Sequence, residues 1–243
     1  MKRFALILLP LVFLLSSGCF EILEEIHLQK NGKGTYLYTV DMSALMDESM
    51  KELLQSAGEG EGNSMDGLEV DSVIYFRTTH AEEIKSLEHP EVFERAFMKM
   101  LMSDSLDKMV IQFGLEFEKL SEIGYFLENI DKVTADETEE GGIQMGKGLL
   151  LGGGSTGMFS LKGKKLTRTV EPNAELEADD EEMGMMSMFM ESATFTTIYH
   201  LPGNAKKTTI PGAQMDGATV KVESSLLDML KGEAKTSGWI KFR

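Results

Sequence analysis

Cysteine is almost absent: Cys19 is the only one in 243 residues, so no disulfide can close within the chain and the fold must rest on its core. Positive charge is scarce as well. Lys and Arg number 24 against 40 Asp and Glu, for a net charge of −16, and two of the basic residues, Lys2 and Arg3, precede the leading apolar segment. A surface this acidic repels phosphate backbones and anionic headgroups. No basic stripe interleaved with aromatics runs along the sequence, so a nucleic-acid partner is not expected. The apolar run from Phe4 to Leu15, taken as a helix, reaches about 18 Å, short of the roughly 30 Å of a bilayer core. Paired metal ligands are missing too. His27, His80, His89 and His200 show no H-x-x-x-H spacing, so a zinc site lacks ligands and neither metal nor cofactor is expected.

What the amino terminus does contain is an address. Lys2 and Arg3, the apolar run interrupted by Pro10, and the small residues Ser16-Ser17-Gly18 before Cys19 form a secretory signal too short to span a membrane. The stretch resembles the lipobox of bacterial lipoproteins, which implies cleavage after Gly18 and acylation of the Cys19 thiol with palmitate-type chains. Several such chains hold a protein stably at a membrane. Phe20, rather than Asp, follows the cysteine, and similarity to known sorting rules then favours the outer membrane. Residues 1–18 are thus read as signal peptide and 19–243 as a single mature domain, long enough for a real core.

Along that domain, Ile22 to Gln29 and Thr35 to Val40 are extended segments joined by Asn31-Gly32-Lys33-Gly34, a strong hairpin signal. Ser43 caps an expected helix bearing Leu45, Met46, Met50, Leu53 and Leu54 until Gly58. Ser72 to Thr78 reads as a strand. Pro90 opens an expected helix with Val92, Phe93, Ala96, Phe97, Met100 and Leu101 on one side. Met109, Ile111, Phe113, Leu115 and Phe117 alternate with mostly polar neighbours, as in a strand with one buried face. Ile123, Phe126, Leu127, Ile130 and Val133 then recur at helical spacing. Phe159 to Leu161 and Leu166 to Val170 bracket a second hairpin, and Ala193 to Leu201, Ala218 to Glu223 and Ser237 to Phe242 complete the strands around a short helix near Leu226 to Leu230. Mobile loops are expected near 59–67, 134–157 and 171–190. Without regular βα alternation, the pattern predicts an α+β fold: a mainly antiparallel sheet with helices packed on one face.

Several motifs carry less chemistry than they suggest. Gly153-Gly154-Ser155-Thr156-Gly157 satisfies G-x-S-x-G, and Asp179 or Asp180 followed by His200 gives the order of a hydrolase triad. The motif needs a strand, a strained turn and a helix, whereas here a hairpin follows, so a Ser155 nucleophile is only a remote alternative. Gly141 to Gly148 nearly matches a phosphate-binding loop, but Gly148 stands where Ser or Thr must hold Mg²⁺. The acidic run from Glu175 to Glu182 lacks the alternating oxygens and glycine of a calcium loop. Met183, Met185, Met186, Met188, Phe189 and Met190 form an unusual cluster in a chain with 18 methionines. Thioethers pack adaptably and also bind soft Cu(I), and with no histidine nearby the reading is a pliable apolar-ligand or docking surface.

The early strand-N-G-x-G-strand hairpin from Glu24 to Asp41, the late segment Thr194 to Gly203, and Gly217-Ala218-Thr219-Val220 resemble the LppM-like lipoprotein domain. That resemblance implies an α+β fold and the binding of lipids or glycolipids at the cell envelope. The leading expectation is a membrane-anchored, non-enzymatic envelope lipoprotein that holds a lipid or other apolar ligand. A second is an interaction or assembly subunit docking another envelope protein.

Overall fold

The two segments flanking Asn31-Gly32 pair as their sequence requires. Strands β1 (Glu21–Leu28) and β2 (Gly34–Asp41) form an antiparallel hairpin running in register from Glu21↔Asp41 to Leu28↔Gly34, with Gly32 at φ 85° supplying the turn. The structure, a computed structural model, describes residues 20–46, 69–140, 157–170, 193–230 and 233–243. Within these lie β3 (Glu69–Tyr75), β4 (Ala96–Ser103), β5 (Lys108–Phe117), β6 (Gly157–Lys162), β7 (Lys165–Val170), β8 (Thr194–His200), β9 (Ala205–Thr208), β10 (Gln214–Asp216), β11 (Thr219–Ser225) and β12 (Gly238–Phe242). The helices are α1 (Phe76–Thr79), α2 (Ala81–Lys85), α3 (Pro90–Phe93), α4 (Ser121–Glu140) and α5 (Leu226–Leu230).

The strands form two sheets. The larger has eight strands in the order β10-β11-β8-β1-β2-β5-β4-β3, and the smaller has four in the order β6-β7-β12-β9. The α+β character stands, with a difference in detail: β1 and β8 pair in parallel, so the large sheet is mixed. A parallel pair needs a long crossover, and here the whole middle of the chain separates the two strands.

One face of the large sheet makes the core. Alternation puts Ile22 and Ile26, Tyr36 and Tyr38, Phe113 and Leu115, and Met98 on that face, all buried. Helix α4, whose Ile123, Phe126, Leu127, Ile130 and Val133 are buried as their spacing predicts, contacts both β5 and β6. The Phe126 ring sits 5.4 Å from that of Phe93 in α3. Arg95 fastens this corner, donating from Nη1 to the Glu116 carbonyl at 2.6 Å and to the Glu122 carboxylate at 3.0 Å.

Three expectations are corrected. The helix expected from Pro90 stops at Phe93, and Ala96–Ser103 is a strand. The run AFMKMLMS fits both periods, and a tight turn returning to β5 settles the matter: Asp107 adopts φ 48° and donates its N–H to the Asp104 carbonyl. The strand expected over Ser72 to Thr78 ends at Tyr75, where α1 begins. Of the loop expected over 134–157, residues 134–140 belong to α4 and Gly157 to β6, while 141–156 lie outside the described residues. Ser43–Met46 is a 3₁₀ turn, while the rest of the helix expected there lies outside the described residues, as do the loops 59–67 and 171–190.

Candidate functional site

The hairpin of β6 and β7 turns on Gly163, at φ 61°, and alternation sends Phe159, Leu166 and Arg168 inward. Arg168 crosses to the large sheet. Its Nη1 donates to Glu24 Oε2 on β1 at 2.5 Å, to Thr197 Oγ1 at 2.8 Å and to the Tyr199 hydroxyl at 3.3 Å, both on β8. Thr197 and Tyr36 donate in turn to the two Glu24 oxygens at 2.8 and 3.0 Å. Glu24 and Arg168 are each only 2% exposed. Burial alone disfavours the Arg168 charge, but Glu24 and Tyr199 outweigh it and its pKa is raised. Burial, reinforced by Glu24, pushes Tyr36 and Tyr38 well up, so both stay neutral hydroxyls. A charge this deep is tolerated only when paired and hydrogen-bonded, and the pairing fixes where the small sheet sits on the large one.

With its inner face pinned, the small sheet presents the opposite set of residues outward. Pairing sets Lys162 across from Lys165, and Lys241 between Lys165 and Lys207. Trp239 lies beside them, with Lys165 Nζ 4.7 Å and Lys207 Nζ 6.0 Å from its ring centroid. Both are cation–π contacts, the nearer within and the farther at the limit of the favourable range. Met158, 49% exposed, extends the face on β6. The other outward strand positions are Ser160, Thr167 and Thr169, so among the described strand residues no carboxylate interrupts it. Beside the hairpin tip, an open cleft of about 430 Å³ is lined by Lys30, Lys164 and Arg243 together with Leu161, Pro202 and Phe242. It is a cationic cleft, not a deep apolar cavity.

The linear sequence shows no basic stripe interleaved with aromatics, whereas strand pairing gathers lysines around Trp239 on this face. The signal was present in Lys162-Gly163-Lys164-Lys165, Lys206-Lys207 and Trp239-Ile240-Lys241. Their assembly depends on strand pairing across some 80 residues, which linear inspection does not reveal.

Two of the four histidines meet in space although no linear spacing pairs them. His27 and His200 are register partners on β1 and β8, and their rings stack at 4.1 Å with an interplanar angle of 10°. Glu25, two residues before His27 and so on the same face, places Oε1 3.3 Å from His200 Nε2 and 3.8 Å from His27 Nε2. Burial and then the neighbouring His200 lower the His27 pKa, with Glu25 opposing. These three side chains could hold a metal. His80 is buried beside Phe76, and His89 stands edge-on to Tyr125 at 5.0 Å.

Gly18, Cys19, Ser155, Asp179, Asp180 and the segment Met183 to Met190, with Met185, Met186, Met188 and Phe189, lie outside the described residues. His200, the histidine of the triad order, is engaged with His27 and Glu25. No helix among the described residues is long and apolar enough to cross a membrane. No family model matches the chain, and neither does any curated protein. Among solved structures, the chain is similar to the folded domain of LppM from Mycobacterium tuberculosis, determined by NMR, with a TM-score of 0.41 and 8% identity over 93% of this chain and 90% of that one.

Proposed function

We propose that this chain is a non-enzymatic lipoprotein of the bacterial cell envelope, anchored at the outer membrane through acylated Cys19, and that the outward face of its small sheet rests on anionic lipid. The observation that carries the proposal is the grouping of Lys162, Lys165, Lys207 and Lys241 around Trp239 with no carboxylate among them. Each lysine near an anionic surface contributes about 1 kcal/mol. The acidic excess elsewhere does not cancel this, because at physiological ionic strength charges are screened beyond about 8 Å. It orients the molecule instead, favouring approach by this lysine-rich face. An indole ringed by lysines also suits the headgroup layer, where amphipathic rings settle.

Trp239 is the sole tryptophan, so its fluorescence reports on this face alone. With the acylated protein reconstituted into phosphatidylglycerol vesicles, Trp239 emission should shift to the blue and resist aqueous iodide. In phosphatidylcholine vesicles it should remain quenchable. Equal quenching in both would defeat the proposal while leaving the anchor intact.

A second reading, as an assembly subunit, draws on β3, the outermost strand of the large sheet at that edge. There Val73 and Tyr75 are 48% and 49% exposed. An open edge with apolar side chains is a template for a strand from a partner protein. Crosslinking from position 73 in the envelope would capture that partner, and an absence of any adduct would count against it.

A further inference from the structure

We infer that Glu25, His27 and His200 form a surface site for a borderline divalent cation of the Zn²⁺ class. The only parallel pairing among the described strands of the large sheet, β1 with β8, sets the two imidazoles side by side on the outward face, and the period of two brings Glu25 onto that face. The three ligand atoms lie within 4.8 Å of one another. A tetrahedral zinc with bonds of about 2.0–2.1 Å holds its ligand atoms roughly 3.3 Å apart. Glu25 Oε1 already meets that spacing to His200 at 3.3 Å and exceeds it modestly to His27 at 3.8 Å. The stacked rings must tilt for their lone pairs to converge. Both are partly exposed, at 43% and 36% for the side chains, and have room to do so.

The donor set selects the ion. Two imidazoles and one carboxylate suit Zn²⁺, Cu²⁺ or Ni²⁺; they offer too few oxygens for Ca²⁺ and no thioether or thiolate for Cu(I). The lateral neighbours, Thr35 beside His27 on β2 and Thr219 beside His200 on β11, supply neither imidazole nor carboxylate, so water would complete a tetrahedron. Lys221, the nearest cation along β11, is drawn away by Glu223 at 2.8 Å. Three protein ligands with an open position also occur in zinc enzymes. Among the described residues no pocket walls surround the group on its sheet face, so the site binds and braces. A cation held there clamps the seam between β1 and β8, the one parallel pairing among the described strands of the large sheet.

The site is independent of the lipid face, and its test does not involve vesicles. Zn²⁺ titrated calorimetrically into the full chain should show one tight site above weaker uptake, and His27→Gln or His200→Gln should each weaken that tight site at least tenfold. Acidic side chains elsewhere take up zinc too, so a residue-specific readout is needed. In ¹⁵N-histidine spectra, one equivalent of Zn²⁺ should move the His27 and His200 imidazole signals and leave His80 and His89 in place. Glu25→Gln, which removes no imidazole, should retain the His27 and His200 shifts with reduced affinity. Binding at parental strength in the double His27→Gln/His200→Gln variant, or zinc uptake with both imidazole signals unmoved, would overturn the assignment.

Discussion

Arg168 donates its Nη1 to Glu24 Oε2 at 2.5 Å, and this one buried ion pair links β7 of the small sheet to β1 of the large one. Removing either partner strands the other charge in the core, which typically costs 3–5 kcal/mol, about the scale of a whole domain's margin. Arg168→Met and Glu24→Leu should each therefore destabilise by about 3–5 kcal/mol in urea unfolding. Combined, they should cost at least about 2 kcal/mol less than the sum, because no unpaired charge remains. The recovery will be incomplete, since Tyr36 and Thr197 lose the acceptor they share. Strictly additive losses would show that the two groups do not act as a pair.

Phe113 is 5% exposed at the middle of β5, across from Tyr38 on β2 and Met98 on β4. Deleting its ring leaves a cavity enclosed by two neighbouring strands that cannot readily collapse. Phe113→Ala should cost about 3–5 kcal/mol and lower the melting temperature accordingly. An unchanged melting temperature would mean that this face is not core.

These two sites differ in how far the sequence announces them. Phe113 belongs to a strand whose alternation is visible over ten residues, and the hairpin around Asn31-Gly32 is equally local. The expected helix from Pro90 through Leu101 fails in its second part because apolar residues at 96, 97, 98, 100, 101 and 102 satisfy both periods, and only the return to β5 decides. Glu24 gives no linear sign of burial, because its partner is 144 positions away. The pairing of His27 with His200 is likewise invisible, resting on a parallel register between strands near opposite ends of the chain. Long-range pairing is the information that local periodicity lacks.

The proposed anchor at Cys19 stands at the other extreme, since a targeting signal is read as a linear string by processing enzymes. Cys19→Ser should yield an uncleaved precursor that takes up no labelled fatty acid. Normal labelling of that variant would place the lipid elsewhere and remove the anchor from the proposed function.

Anchoring and docking can be separated by salt. On the proposed function, acyl chains at Cys19 would hold through apolar burial, which salt does not weaken, whereas contact of Lys162, Lys165, Lys207 and Lys241 with anionic headgroups would be electrostatic. Raising ionic strength to 1 M shortens the screening length to about 3 Å, less than the reach of a lysine side chain. The reconstituted protein should then stay with phosphatidylglycerol vesicles on sedimentation while Trp239 becomes accessible to an aqueous quencher. Lys165→Glu with Lys241→Glu should produce the same exposure at low salt, because those two residues flank one another across β7 and β12. If Trp239 stays shielded in 1 M salt and in the double variant alike, the face is inserted through apolar contact of Trp239 and Met158, and the lysines are bystanders.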